Sequence, residues 1–265
     1  MSTGIAIPVP QRYEKMTLTN IYNLRNTFHF QDPIEIWEVG DEVSPEARQL
    51  LASLPGVVFK NTLTYDDRID HWRGYQVKGL VTKHSSFDHY IFCDADVVFL
   101  QSPSIVQQSI EYKTTGSYMF RDFPFWQFKH LQENGPDKWS DLGYFRGRQQ
   151  FIHKLLPEKS PYFFPEWNYL YDAEPPVQPV QESSAETGVV YINKQMHSDV
   201  VQTFYELNEN WTDTYKYTHG DTAAFWLSFV MNNKPFSLNP EPPLWANGSP
   251  LQPYNTVPFY VQKLS

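Results

Sequence analysis

Asp94 and Asp96 stand one residue apart, directly after the run His89-Tyr-Ile-Phe-Cys93. A hydrophobic stretch ending on Asp-x-Asp places two carboxylates near one point, because the turn after a strand brings the i and i+2 side chains together. Two hard oxygen ligands with room left for water suit Mg²⁺ or Mn²⁺. The chain is acidic, with 21 Lys and Arg against 30 Asp and Glu and a net charge of −9, so an anionic diphosphate held here needs a cation to offset the repulsion. The same cation would stabilise charge developing on a departing pyrophosphate oxygen, which is chemistry suited to a nucleotide-sugar donor. Two aspartates in a turn are commonly just solvated or capping residues. The hydrophobic run in front of them favours the functional reading.

Positioning such a pair requires a sheet, and the first half of the sequence reads as strands alternating with helices. Gly4–Pro10 is a short strand stopped by prolines, and Glu14–Phe28 carries Leu18, Ile21, Leu24 and Phe28 at helical spacing. Pro33–Gly40 alternates apolar and polar residues, as a half-buried strand does. Ser44 and Pro45 form an N-cap and first turn, with Leu50 and Leu51 expected in the core. Val57–Phe59 reads as a strand, and Gly74–His84 as a helix with Val77, Leu80 and Val81 on its apolar side. The apolar run before Asp94 fits a strand buried on both faces of a mostly parallel sheet. In such open α/β sheets ligands sit beyond the carboxyl ends of the strands, where Asp94 and Asp96 fall. Later, Thr187–Asn193 reads as a strand, and Met196–Leu207 and Asp221–Val230 as helices.

The 265 residues fit one large α/β domain. Aromatic residues reach 17%, with 8 Trp, 17 Tyr and 19 Phe beside 21 Pro, a composition of stiff loops and stacking platforms. Between Pro157 and Pro179 prolines alternate with Tyr162, Phe163, Phe164, Trp167, Tyr169 and Tyr171, reading as a structured loop. The acidic balance disfavours nucleic acid, and one Cys excludes a disulfide framework or a cysteine zinc site. No stretch approaches the roughly 18 apolar residues of a membrane span, and the start lacks a basic, then hydrophobic, signal pattern. The sequence as written reads as cytoplasmic; a catalytic fragment of a larger anchored protein, working in the Golgi lumen, would look the same.

Several segments together resemble the GT-A-fold, metal-dependent glycosyltransferases, most closely the fungal-type α-1,3-mannosyltransferase family. They are Ile34-Glu-Ile with Gly40-Asp-Glu42, Leu54-Pro-Gly-Val57, Arg73-Gly-Tyr-Gln-Val-Lys78, Ser85-Ser-Phe-Asp88 leading into Asp94-Ala-Asp96, Thr115-Gly116 leading into Phe120-Arg-Asp122, Glu186–Lys194 and His219–Trp226. Each is weak alone; their order and spacing are specific. The resemblance implies a GT-A-like domain, a Rossmann-type open mixed sheet flanked by helices, with a loop-rich C-terminal part. Residues 1–125 would bind the nucleotide sugar and 126–265 would face the acceptor. It further implies a GDP-mannose or UDP-sugar donor, Mn²⁺ or Mg²⁺ on the aspartates, an oligosaccharide or glycoprotein glycan acceptor and retention of configuration.

By the same resemblance, Asp94 faces the donor and Asp96 ligates the metal. Lys78 and Arg73 contact the donor's phosphates or sugar, with a solvated helix face as the alternative for Lys78. Pro8, Val9 and Tyr13 flank the base. Asp221 contacts the transferred sugar or the acceptor, and Glu186 is a second candidate catalytic acid, whose plain alternative is a capping or turn residue. Arg121 and Asp122 end a strand near the sugar pocket or form an ion pair. Trp126, Trp167 and Tyr169 are candidate stacking surfaces. Many such enzymes take a third metal ligand from a C-terminal His, and no His follows His219, so His219, water or another oxygen from the C-terminal tail would complete the shell. Two rivals stand beside this reading. One is a haloacid-dehalogenase-type phosphatase, which uses Asp-x-Asp as nucleophile and acid/base but adds an Asp four residues after a later Gly-Asp, where this chain has Phe225. The other is a glycan-binding homologue without catalysis.

Overall fold

The computed structural model describes residues 2–121, 185–215, 220–239, 244–245 and 260–261. Its centre is a six-stranded sheet made of β1 (Thr3–Pro8), β2 (Ile34–Glu38), β3 (Val57–Asn61), β4 (His89–Cys93), β5 (Ser117–Arg121) and β6 (Ala185–Asn193). The order is β3-β2-β1-β4-β6-β5. The first four strands run parallel, while β6 lies antiparallel to both β4 and β5. This is the open mixed α/β sheet expected. A separate two-stranded ribbon joins β7 (Leu244–Trp245) to β8 (Tyr260–Val261).

Helices cover both faces. Side chains alternate along each strand, so Ala6, Tyr90, Phe92, Val190 and Ile192 share one core while Ile5, Ile7, Ile91, Cys93 and Tyr191 share the other. The first face packs on three helices, α4 (Val77–His84), α7 (Ser198–Glu209) and α9 (Asp221–Met231). The second packs on α1 (Glu14–Asn26), α2 (Pro45–Ala52) and α6 (Ile110–Thr115). Short turns of helix at Ile69–Trp72 (α3), Ser104–Gln108 (α5) and Trp211–Thr214 (α8) complete the set. Among the described residues no helix is long and apolar enough to cross a membrane.

Local signals account for most of these elements. Ser44 Oγ accepts the Ala47 N–H at 3.3 Å and Pro45 opens α2, as the sequence implies. Two expectations are corrected. Leu50 is 56% exposed and only Leu51 enters the core. β2 is buried along its whole length rather than on one face. Its polar positions tolerate this because they are paired. Glu35 accepts the Trp37 indole N–H at 3.0 Å and the Ser86 N–H and hydroxyl at 3.1 and 2.7 Å. Glu38 is ion-paired with Arg48. Pairing of this kind offsets much of the cost of burying a polar group.

Candidate active site

The site lies at the carboxyl edge of β1 and β4. Parallel pairing sets Ala6 beside Phe92, which brings Pro8 and the following residues level with the turn that starts at Asp94. α1 holds that turn down. The Thr17 hydroxyl donates to the Ala95 carbonyl at 3.4 Å, Asn20 Oδ1 accepts the Phe99 N–H at 3.1 Å, and Asn23 Nδ2 donates to the Phe99 carbonyl at 2.8 Å. Thr17, Asn20 and Asn23 escaped sequence reasoning. Polar residues on the core-facing side of α1, next to Ile21 and Leu24, were their one available signal.

β6 reaches the same point through an irregularity. Its pairing with β5 jumps from Met119↔Val190 to Phe120↔Glu186, leaving Thr187–Val189 out of that ladder. Bulges of this kind re-aim side chains. Here the Asp94 N–H donates to the Gly188 carbonyl at 2.8 Å, and Thr187 turns its hydroxyl toward α9.

Lys78 joins the pieces. Its Nζ lies 2.8 Å from Asp94 Oδ2, 3.0 Å from Asp221 Oδ2, and 3.3 and 3.4 Å from the Thr187 carbonyl and hydroxyl. The Thr187 hydroxyl donates to Asp221 Oδ2 at 2.6 Å. The ammonium also stands 5.0 Å above the Phe92 ring. Lys78 and Asp221 are both buried, whereas the Asp94 side chain keeps 28% exposure. A solvated helix face is therefore excluded for Lys78. Asp221 sits in the first turn of α9, where the helix dipole favours a carboxylate.

The charges act on one another strongly. Burial alone would depress the Lys78 ammonium, but the carboxylates of Asp221, Asp94 and Glu186 outweigh it and hold its pKa above the usual lysine value. Burial pushes the Asp94 carboxyl up to about 7 against the pull of Lys78, with Asp221 and Glu186 adding repulsion.

The remaining predicted residues fall as follows. Asp96 is exposed and has no hydrogen-bond partner among the described residues. Glu186 is half-buried, and its Oε1 accepts the Gly188 N–H at 2.7 Å. That fold-back onto its own strand matches the turn-residue alternative, while its charge still reaches Lys78 and Asp94. Pro8 and Val9 are buried at the end of β1, with the Val9 N–H donating to the Trp37 carbonyl at 2.9 Å. The Tyr13 ring carries the Arg12 guanidinium 4.7 Å from its centre. Arg73 is engaged by Glu42 at 3.4 Å and Asp70 at 3.3 Å. It is not drawn into the Lys78 cluster. Arg121 closes β5, and its side chain, with Asp122, Trp126, Trp167, Tyr169 and His219, lies outside the described residues. Among the described residues no three His, Cys, Asp or Glu side chains gather to enclose a metal.

Residues 2–248 match the model of the family described as "Mannosyltransferase putative". The chain belongs to that family. Two relatives of this mannosyltransferase-family chain come from Candida albicans. One is described as "Putative alpha-1,3-mannosyltransferase MNN12", 27% identical over 176 residues, covering 62% of this chain and 18% of the relative. The other is described as "Putative alpha-1,3-mannosyltransferase MNN1", 25% identical over 158 residues, covering 58% of this chain and 18% of the relative. The chain thus corresponds to a minor part of their length. Among solved structures, core-mannan synthase A (CmsA/Ktr4) from Aspergillus fumigatus, in an Mn/GDP form, is 8% identical, with 87% of this chain and 70% of that one covered and a TM-score of 0.49.

Proposed function

We propose that this chain transfers a hexose, mannose first, from a nucleoside-diphosphate sugar to a glycan hydroxyl, with retention of configuration. One observation carries the reading. Lys78, Asp94, Thr187 and Asp221 arrive from four separate segments and meet through contacts of 2.6–3.4 Å at the carboxyl edge of the sheet. Family membership supplies the sugar class.

Asp94 and Asp96 fit a divalent cation. Asp96 offers an exposed carboxylate without a hydrogen-bond partner among the described residues. Lys78 occupies Oδ2 of Asp94 and fixes the direction of the other oxygen. Hard oxygen donors of this kind suit Mg²⁺ or Mn²⁺, with diphosphate oxygens and water filling the remaining positions. When bound, the cation supplies positive charge to the diphosphate and to the oxygen that leaves with the nucleotide. The protein's own part is positional. Pro8, Val9 and Tyr13 border the base, in the N-terminal half of a single domain. Asp94 is held by Lys78 so that it faces the donor. Glu186, half-buried, and the buried Asp221 provide negative charge against an oxocarbenium-like transition state.

The phosphatase alternative finds no support. Phe225, where its second Asp would stand, is 2% exposed in the hydrophobic core of α9. A thermal-shift panel tests the proposal, using GDP, UDP, GDP-mannose and UDP-hexoses with Mn²⁺ or with EDTA. Ligand binding to the native state raises the melting temperature. A shift with one nucleotide series, abolished by EDTA, is expected and names the base. No shift with any of them would overturn the reading.

A further inference from the structure

Tyr75 is 67% exposed, yet its backbone is tightly held. The next side chain, Gln76, is buried and donates from Nε2 to the carbonyls of His71 and Arg73 at 2.6 and 3.0 Å. The Lys78 N–H donates to the Tyr75 carbonyl at 3.2 Å. Trp72, Gln76, Val77 and Lys78 all turn inward, so this rigid turn presents one aromatic ring outward.

The ring's neighbour gives it a place in the site. A Cβ added to Gly220 would lie 3.4 Å from Tyr75 Cδ2 and 3.6 Å from Cγ. Gly220 adopts φ +59°, a conformation costly for other residues, and it directly precedes Asp221. The ring therefore stands at the N-terminus of α9, one residue from Asp221. Its own turn leads to Lys78, which binds the same aspartate.

An exposed tyrosine alone needs no explanation. A ring carried on a turn that a buried glutamine pins, set against a glycine and flanking the ion cluster, offers an apolar face at a defined place. Pyranose rings present C–H faces that pack on such surfaces. Resting on the transferase reading above, we propose that Tyr75 is the stacking platform for a hexopyranose ring at this site. The ring belongs to the donor sugar or to the acceptor, and the experiment separates the two.

The variants are Tyr75→Ala, Tyr75→Leu and Tyr75→Trp. With the face exposed to this degree, all three fold like the parent. Mannosyl transfer to methyl α-mannoside should fall about five- to tenfold in Ala and Leu and persist in Trp. An acceptor-side ring raises KM for methyl α-mannoside and leaves donor hydrolysis without acceptor unchanged. A donor-side ring raises donor KM and slows that hydrolysis, with GDP and UDP binding unaltered. Unchanged kinetics in Tyr75→Ala, a Leu variant as active as Trp, or an equal loss of affinity for the free nucleotide would overturn the proposal. If the parent protein transfers no sugar, the transferase reading fails by itself. Saturation-transfer NMR with methyl α-mannoside then decides on Tyr75: aromatic saturation lost in Tyr75→Ala supports the platform, and its absence in the parent overturns it.

Discussion

At the residue scale, Lys78 joins two carboxylates, standing 2.8 Å from Asp94 Oδ2 and 3.0 Å from Asp221 Oδ2. Removing one member of a buried ion cluster leaves uncompensated charge, at a cost of about 3–5 kcal/mol. Lys78→Met should therefore lose stability on that order in urea unfolding, with Asp94 and Asp221 left facing each other. Lys78→Met combined with Asp221→Asn should be less destabilised than the sum of the single changes, because the two residues share one network. Additive losses would show that the 3.0 Å contact carries no coupling. None of this was legible in the sequence. Arg73-Gly-Tyr-Gln-Val-Lys78 identified a segment, but only the packing of α4 against β6 and α9 shows that Lys78 faces carboxylates rather than solvent. The Asp94/Asp96 pair was legible, because an unbroken apolar run ending on two acids is visible without tertiary contacts.

At the element scale, α4 and α7 meet through Gly79. A Cβ there would lie 2.6 Å from Asn208 Cβ, and Asn208 is fixed by its own bond to the Phe204 carbonyl at 2.7 Å and by the Tyr215 hydroxyl at 2.6 Å. Gly79→Ala gains helix propensity but overpacks this contact, so a net loss of about 1–3 kcal/mol is expected; unchanged stability would contradict the close approach. Beyond the end of α4, Lys194 Nζ donates to the carbonyls of Lys83 and Ser85 at 3.2 and 2.8 Å, the place where a helix end favours a cation. Burial nevertheless lowers its pKa from 10.5 to about 8, with Glu35 and Asp88 opposing. Between about pH 8 and 10.5 the unfolded chain binds more protons at this site than the folded one. The cost of the buried charge is thus full below the folded pKa and fades as pH rises through that window. Denaturant unfolding should show the parent gaining stability relative to Lys194→Met across it, and a flat difference would place Lys194 in water. The same tertiary dependence explains β2. Glu35 and Glu38 gave it a half-exposed alternation, whereas the partners that reach them from outside the strand, Ser86 and Arg48, come from packing that the pattern does not contain.

At the scale of the whole molecule, the alternation of strands and helices that builds the parallel part of the sheet was legible, but the order β3-β2-β1-β4 in which those strands pair was not. The reversal of β6 and its jump in register were not legible either, since both depend on pairing across distant parts of the chain. That reversal delivers Glu186 and Thr187 to the end of β4, making one site out of two halves. The most direct test of this assembly is transfer of mannose from GDP-mannose to methyl α-mannoside, followed by mass spectrometry with Mn²⁺ and with EDTA, in the parent and in Asp96→Asn. Asp96 is exposed and makes no hydrogen bond among the described residues, so the variant should melt like the parent. A metal-dependent product heavier by one hexose is expected in the parent, with a loss of at least about a hundredfold in Asp96→Asn. Equal turnover in both proteins, or a product formed equally well in EDTA, would contradict this assembly.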